Sequence, residues 1–281
     1  MKNMGISCLT LNKRYFIIFI SAVLFLPPVS LIPQLAMEPN MCGQVCPKLF
    51  LIIPKGGDIL GKMWANVKAM WFGASLVASI LTVTFFFGRL WCGHICPVGG
   101  LPELTGRFIP RWLKINFSWM NAPAFRYGYF AIFILASVLG VGSIACKLCN
   151  FRVIPFLTGA PFEGAYVAYL SSSMGIAGIA TVLVTGVLAK GGRAYCNLLC
   201  PVGAVDGFIN LIGTRFGFNK KIITDKSQCN GCGNCVKACI VWARKLDEQG
   251  KAETNRLSCM TCLKCTYVCS EGAIRYGRDN V

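Results

Sequence analysis

Two cysteine motifs near the end of the chain have a spacing typical of iron-sulfur cluster binding. Each follows the pattern Cys-x2-Cys-x2-Cys-x3-Cys, with glycines Gly231 and Gly233 in the first allowing tight turns. In such pairs, three neighbouring cysteines bind one [4Fe-4S] cluster and the fourth binds the other. Zinc binding is the alternative, although zinc sites favour separated pairs. We predict a first C-terminal quartet of Cys229, Cys232, Cys235 and Cys269, and a second C-terminal quartet of Cys259, Cys262, Cys265 and Cys239.

Four further cysteines belong to a second repeated motif. Arg89 to Gly99 and Arg193 to Gly203 share an arginine, an aromatic residue, two cysteines, a proline, a valine and a glycine, at an offset of 104 residues. Cysteines four residues apart lie on one helix face, so a pair from each motif would supply four thiolates. Packing as small apolar residues is the alternative. We predict a membrane-embedded cluster on this inner quartet of Cys92, Cys96, Cys196 and Cys200.

A third set of cysteines lies between the apolar stretches. The 104-residue offset relates Cys42 to Cys146, and Cys46 maps to Cys149 after one deletion. Because this register is shared with the inner quartet, we favour a further cluster on this outer quartet, on the opposite face of the membrane. Disulfides in an oxidising compartment are the alternative. The remaining cysteine, Cys8, is interpreted as a spare thiol.

The composition indicates a membrane protein. The 281 residues are 55% hydrophobic and only 14% charged. Spanning a bilayer takes about 20 apolar residues, and four stretches are long enough: Tyr15 to Leu35, Ala69 to Gly88, Tyr127 to Ala145 and Gly164 to Ala189. We predict a mainly α fold with four transmembrane helices as a duplicated two-helix unit in residues 1–221, with repeats at 15–100 and 127–205, followed by a soluble domain at 222–281.

The charge pattern suggests an orientation. Lysine and arginine are more frequent in the N-terminus, the loop from Arg89 to Arg126 and the stretch from Lys190 to Lys221 than on the other face. The positive-inside rule then places both termini in the cytoplasm, with the chain a multi-pass protein of the cytoplasmic (inner) membrane. The net charge of +17 is spread over many segments and forms no single basic block. It favours lipid headgroups or an acidic protein partner over nucleic acid.

These motifs carry a family resemblance. The C-terminal motifs resemble bacterial ferredoxin, and together with Cys92 to Pro97, Cys196 to Pro201 and the four predicted helices the chain resembles the membrane polyferredoxins. It is similar to NapH-type quinol dehydrogenase subunits and to the membrane core of NosR-type proteins. The resemblance implies a C-terminal α+β ferredoxin-like domain with two [4Fe-4S] clusters, and electron transfer that is often linked to quinol. The outer quartet departs from the family pattern.

Several charged residues could assist the inner quartet. His94 is the only histidine, which excludes a bis-histidine haem within this chain. It is a candidate acceptor of a quinol proton, because the histidine pKa lies near neutrality. The alternative is an ordinary surface or hydrogen-bonded histidine. Glu103 and Asp206, just after the inner motifs, are candidates to relay protons together with His94. The alternative is that they cap helices. Arg89 and Arg193 could offset the charge of a cluster or snorkel to the interface.

Our hypothesis from the sequence is a transmembrane electron conduit within a larger redox complex. It would connect a cytoplasmic iron-sulfur or flavin protein with a quinone or an outer-face redox protein, through the C-terminal clusters and one or two membrane clusters. About 30 Å of hydrocarbon would separate sites at opposite faces, which is too far for one fast electron step. Either the outer cysteine pairs dip inward on short apolar segments, or a quinone bridges the gap, or the outer pairs are not redox centres. The alternatives are an electron-donating assembly or reactivation factor for another metalloenzyme, and a membrane anchor carrying only the two ferredoxin clusters.

Overall fold

The computed structural model describes residues 3–27, 71–138, 146 and 148–278, and these are mainly helical. Short turns join the helices, including the 3-10 turns Gly106–Phe108 and Arg111–Leu113 and the π-helical turns Trp91–Ile95 and Leu183–Val187. The helices of the part preceding residue 220 are α1 Asn3–Phe25, α2 Trp71–Phe87, α3 Pro97–Thr105, α4 Ala122–Val138, α5 Asn150–Gly159, α6 Gly164–Ser171, α7 Ser173–Val182, α8 Ala194–Leu198 and α9 Pro201–Gly213.

The predicted membrane spans correspond only in part to single helices. The fourth predicted span is broken, because α6 and α7 meet at Ser172 with a bend of 86°. The Ser172 hydroxyl accepts a hydrogen bond from the Gly175 amide and caps α7. Among the described helices, none is by itself both long and apolar enough to cross a membrane, whereas the bent pair meets the length and composition requirement together. The ends of the first and third predicted spans lie outside the described residues.

The inner cysteines do not share a helix face, which corrects the prediction for the Cys-x3-Cys-Pro motifs. Cys92 lies in a π-helical turn and Cys196 lies in α8, while Cys96 and Cys200 are the N-cap residues of α3 and α9. The proline after each second cysteine takes the first position of the new helix, where its missing N–H is not needed. Each motif is therefore a break between two helices, with one cysteine on each side.

The C-terminal part contains two small antiparallel sheets and two short helices. Strand β1 Lys221–Thr224 pairs with β4 Ile274–Gly277, and β2 Arg244–Leu246 pairs with β3 Ala252–Thr254. The helices α10 Asn234–Ala238 and α11 Lys264–Tyr267 pack against each other. Strands and helices in this arrangement agree with the α+β character that the resemblance implies.

The two C-terminal cysteine loops have the same backbone turns made from different residues. Gly231 and Gly233 have φ values of 74° and 71°, and the residues 30 positions later, Thr261 and Leu263, have φ values of 49° and 63°. Side chains with a Cβ rarely adopt this left-handed conformation. The second loop therefore accepts strain that glycine relieves in the first, because both loops must turn in the same way around their cysteines.

The C-terminal part is joined to the helical part by hydrogen bonds from side chains to main-chain carbonyls. These bonds come from side chains on α4, α8 and α9, and a tyrosine on β4 returns one to the end of α2. The donors and acceptors are Arg126 Nη2 to Leu257 O at 2.7 Å, Asn197 Nδ2 to Val241 O at 2.7 Å, Asn210 Nδ2 to Arg256 O at 2.6 Å and Tyr276 Oη to Phe87 O at 2.7 Å. Main-chain bonds of this kind hold the cysteine loops in place against α8 and α9.

Candidate iron-sulfur centres

The inner quartet lines a single enclosed cavity. Its four cysteines are buried and are brought together from two motifs that are about 100 residues apart in sequence. The cavity wall also contains Trp91, Tyr195 and Phe151 together with both motif arginines. The lining is mostly apolar, and four cysteines in one such wall are the donor set that a four-thiolate cluster needs.

Backbone amides stabilise the sulfurs of the second cysteine in each inner motif. The Gly203 amide donates to Cys200 Sγ at 3.3 Å, and the Gly99 and Val98 amides donate to Cys96. Gly99 and Gly203 occupy equivalent positions in the 104-residue repeat. Because main-chain N–H groups at cysteine sulfur are one of the features that tune iron-sulfur clusters, the two halves of the quartet are matched for this role.

Three thiols of the inner quartet, those of Cys92, Cys96 and Cys200, are difficult to ionise without a positive charge nearby. Burial, followed by the charge of Asp206, raises the pKa of Cys92 well above its usual value, and burial followed by neighbouring Cys196 raises that of Cys200. Burial, followed by Cys196, raises the pKa of Cys96 to about 11. Metal binding requires thiolates. This donor set fits a cationic iron-sulfur core assisted by the arginines beside it.

The two motif arginines form ion pairs that cross between the repeats. Arg89 of the first motif donates to Asp206 of α9 at 2.9 Å, and Arg193 of the second motif donates to Glu103 of α3 at 2.9 Å. Both arginines are at most 1% exposed, so the snorkelling interpretation is wrong for them. Each repeat thus supplies the counter-ion for the motif arginine of the other.

Glu103 is the centre of a larger buried network. Its carboxylate accepts both Nη atoms of Arg14 at 2.8 Å, Nε of Arg193 at 2.9 Å and Nζ of Lys264 at 3.2 Å. Burial alone would raise the pKa of Glu103, but the charges of Arg193, Arg14 and Lys264 hold it well below its usual range. The network joins α1, α3, the second motif and α11 around one carboxylate.

The predicted proton-relay residues have different surroundings from those expected. Glu103 and Asp206 lie inside α3 and α9 and form buried ion pairs, so neither is a helix cap. His94 is half-buried, and burial together with the charge of Arg14 lowers its pKa to about 4. This differs from the near-neutral pKa on which the proton-acceptor prediction depended. A relay role for the three residues stays a prediction.

The first C-terminal quartet lines a second cavity, near the surface. Cys229, Cys232, Cys235 and Cys269 all contribute to its wall, together with both left-handed glycines of the first loop. Cys235 is buried, Cys229 and Cys269 are half-buried, and Cys232 is exposed. The pKa of Cys229 is lowered, mainly by hydrogen bonds from the Ala252 and Gly231 amides. This is the set of four that the spacing predicts for one cluster.

The second C-terminal quartet is also brought together in space. Cys239 has its pKa raised to about 11 by burial and then by Cys262, with Cys259 also contributing. Burial and the neighbouring Cys262, Cys259 and Cys239 act in the same way on the pKa of Cys265, against the lowering effect of Arg244. The Ala243 amide donates to Cys239 Sγ at 3.2 Å. These mutual interactions place all four sulfurs in one neighbourhood.

The quartets are adjacent to one another. Cys92 and Cys196 belong to a buried cluster with Met260, against which Cys239, Cys259 and Cys262 pack. A Cβ on Gly93 would collide with the Met260 carbonyl, which shows how closely the two loops approach. The second C-terminal quartet in turn shares a core with the first, through Cys265 and Cys235. The order is therefore first C-terminal quartet, second C-terminal quartet, inner quartet.

The described cysteines of the outer quartet lie close to this series. Cys149 is the buried N-cap of α5, and its sulfur accepts a hydrogen bond from the Tyr195 hydroxyl at 3.1 Å. It belongs to the same buried cluster as Cys96 and Cys200. We expected Cys149 on the opposite face, a bilayer thickness from the inner quartet, whereas the structure places it beside that quartet. Cys146 is partly exposed, and Cys42 and Cys46 lie outside the described residues.

Sequence reasoning missed several residues of the inner site. Tyr195 connects the wall of the cavity to Cys149, and Trp91 lines the cavity. Their signal was present in the shared aromatic position of the two motifs. Arg14 and Lys264 had no such signal, because their partnership with Glu103 depends on contacts 89 and 161 residues away in the chain.

The described part of the chain holds no group of three or more His, Cys, Asp or Glu side chains placed to hold a single metal ion. A [4Fe-4S] cluster spreads its four thiolates over four iron atoms instead of converging them on one. Sulfur-lined cavities with amide donors agree with that requirement.

Comparisons with family models find 4Fe-4S binding domains in this chain. A family model described as a 4Fe-4S binding domain matches residues 69–116 and again 173–219, and a model described as a 4Fe-4S dicluster domain matches 221–270. The two matches of the first model begin 104 residues apart, as in the internal repeat. No solved structure matches the chain.

Relatives with ferredoxin-type names share most of the chain. Ferredoxin-type protein NapH of Escherichia coli is 28% identical over 69% of this chain, which covers 64% of that relative and so less than two thirds of its length. The uncharacterized protein MJ0749 of Methanocaldococcus jannaschii is 25% identical over 75% of both chains. Methylamine utilization ferredoxin-type protein MauN of Methylobacillus flagellatus is 23% identical over 59% of this chain and 54% of its own. The chain is therefore a ferredoxin-type iron-sulfur electron-transfer protein related to NapH and MauN, and its relatives fit a NapH-type polyferredoxin family.

Proposed function

We propose that this protein is an integral membrane subunit that relays electrons between a soluble redox partner and a quinone or a second redox protein. The observation that carries the proposal is the continuous series of cysteine quartets, from the partly exposed first C-terminal quartet to the buried inner quartet. Iron-sulfur clusters, when bound there, supply one-electron transfer. A protein that only binds metal for stability has no need to align three such sites.

The residues of the chain would perform three tasks in this relay. Cys232, at the exposed end, leaves the first C-terminal site accessible to a partner protein. Main-chain contacts between the Met260 loop and Gly93 keep the second C-terminal quartet against the inner one. Arg89 and Arg193 hold positive charge beside the inner cavity, where a thiolate-bound cluster is negatively charged.

The place of Cys149 supports an extension of the series. Its sulfur is reached from the inner cavity through a single side chain, Tyr195. We propose that the outer quartet, with Cys42, Cys46 and Cys146, holds a further cluster close to the inner one. Electrons would then not have to cross a bilayer-wide gap between the two clusters.

The membrane location is supported by composition and by exposed apolar side chains. Phe16, Phe19 and Leu24 on α1 are 55–64% exposed, and Ile132 and Leu135 on α4 are 57–67% exposed. Contiguous apolar surfaces of this kind mark lipid or protein contacts. We propose a multi-pass protein of the cytoplasmic membrane with both termini in the cytoplasm.

The proposal is tested by redox titration of the full chain in nanodiscs, followed by electron paramagnetic resonance. Comparison of the Cys196→Ala variant with the unmodified protein and with a Cys8→Ala control isolates the inner quartet. We expect Cys196→Ala to lose one reducible cluster and to block electron transfer from a reduced soluble donor to a quinone analogue, while the C-terminal clusters remain reducible. Unchanged transfer in Cys196→Ala would overturn the relay.

A further inference from the structure

A large cleft lies beside the Glu103 network and is not part of any cysteine quartet. It has a volume of about 520 Å³ and lies between α1, the segment after α3 and the turn before α8. Its walls are tied together, because Ile115 pairs with the main chain of Leu188 and Lys190 through hydrogen bonds of 2.8 Å. The main-chain hydrogen bonds therefore fix the shape of the cleft.

The lining of this cleft is strongly basic. Four cations that no quartet uses face it, namely Arg107, Arg111, Lys114 and Lys190, and Lys264 contributes a fifth. Within the described residues, Glu103 is the only acidic residue of the lining, and Arg14, Arg193 and Lys264 already neutralise it. The cleft thus carries an excess of positive charge that matches a polyanionic or phosphate group.

Two of these cations are held in place before any ligand binds. The Arg107 guanidinium lies 3.5 Å from the centre of the Tyr15 ring, and Lys114 Nζ donates to the Gly106 carbonyl and, at 2.7 Å, to the Val187 carbonyl. Arg111 and Lys190 are exposed and remain able to turn toward a ligand. A combination of fixed and adjustable cations suits a phosphodiester, which arginine binds with paired donors.

The segment that supplies the cations also exposes large aromatic side chains. Phe108, Trp112 and Trp119 are 88%, 83% and 80% exposed. Tryptophan is enriched at the level of lipid headgroups, where its ring is partly apolar and partly polar. Arginines and lysines alternate with these rings between residues 107 and 119, which is the pattern of a segment lying at a membrane surface.

We propose that the cleft binds the phosphate headgroup of an anionic phospholipid from the cytoplasmic leaflet. Basic pockets on the cytoplasmic side of membrane proteins bind anionic headgroups. A free phosphate offers the same chemistry, but the exposed aromatic rings favour a ligand that is anchored in the bilayer. The inference rests on the proposed membrane location.

The test uses the full-length protein in nanodiscs of phosphatidylcholine with or without phosphatidylglycerol, followed by native mass spectrometry of retained lipid. The test variant is Arg111→Gln with Lys190→Gln. The matched control is Lys237→Gln with Lys245→Gln, which removes two exposed charges from the C-terminal part. We expect retention of phosphatidylglycerol over phosphatidylcholine, weakened at least about tenfold in the test variant and unchanged in the control.

Four results would overturn the proposal. Equal retention of both lipids, or equal loss in test and control variants, would show that the cleft is not a headgroup site. Displacement of phosphatidylglycerol by millimolar inorganic phosphate, with no lipid preference remaining, would assign the cleft to a soluble phosphate compound. Failure of the protein to enter nanodiscs of either composition would instead overturn the membrane location on which the proposal rests.

Discussion

The inner quartet and the first C-terminal quartet hold four cysteines each, but they are built in different ways. The inner quartet is fully buried, and its frame is a set of ion pairs between the two repeats. The first C-terminal quartet is partly exposed, and its frame is a loop with left-handed turns at Gly231 and Gly233. Side-chain charge positions one site and backbone conformation positions the other.

This difference explains how the two sites can occupy opposite ends of one series. Exposure suits a site that meets a soluble partner, and burial with charge compensation suits a site reached only through protein. The pKa directions agree, since amides lower the pKa of Cys229 while burial raises that of Cys92.

The largest expected effect comes from the carboxylate at the centre of the ion pairs. Glu103→Gln would leave Arg14 and Arg193 buried without a counter-ion, which costs about 3–5 kcal/mol. We expect thermal unfolding of the helical part at a temperature lower by roughly 5–15 °C, with Glu248→Gln, an exposed glutamate, as the control. Circular dichroism measures the change. Equal stability of the two variants would mean that the ion pairs do not form the frame.

A smaller effect is expected from the backbone of the first C-terminal loop. Gly233 has φ 71°, and a Cβ added there would meet only Leu246, at 4.0 Å, so Gly233→Ala adds backbone strain without a steric clash. We expect a loss of about 1–2 kcal/mol, seen as faster cluster release from the C-terminal part in a chelator assay. Gly277 has free space around it and no positive φ, so Gly277→Ala should behave like the unmodified protein. Equal release from both variants would contradict the role of the turn.

The smallest effect is expected at the hydroxyl beside Cys149. Tyr195→Phe removes one hydrogen bond to its sulfur, worth about 1 kcal/mol. If the outer quartet holds a cluster, the variant should shift the midpoint potential of one cluster and keep the iron content. Tyr127→Phe loses a comparable bond, made to the Ala204 carbonyl and not to a sulfur, and should shift none. Identical midpoint potentials for Tyr195→Phe and Tyr127→Phe in a redox titration would show that the Tyr195 hydroxyl does not influence any cluster.

The four-cysteine sets could be predicted from the sequence, because they depend on the local spacing of ligands and on internal repeats. The neighbourhoods of the inner and C-terminal quartets agree with those predictions, while their ligand roles remain proposals. The finer structural expectations were wrong because they depend on three-dimensional packing. The break at Ser172, the N-cap positions of Cys96 and Cys200, and the nearness of Cys149 to the inner quartet all depend on how helices pack.

The charged partners were the least predictable part of the site. Arg89 and Arg193 were found by their place in the motifs, but their partners Asp206 and Glu103 come from the opposite repeat. A sequence pattern shows which residues recur, and it does not show which copy pairs with which.

The most direct test of the central claim is the amount of iron and acid-labile sulfide per full-length chain, purified without oxygen. A series that includes the inner quartet predicts at least about 12 iron atoms, four for each [4Fe-4S] cluster, and about 16 if the outer quartet is also filled. A value of about 8 would mean that only the two C-terminal quartets hold clusters. That result would contradict the relay through the helical part.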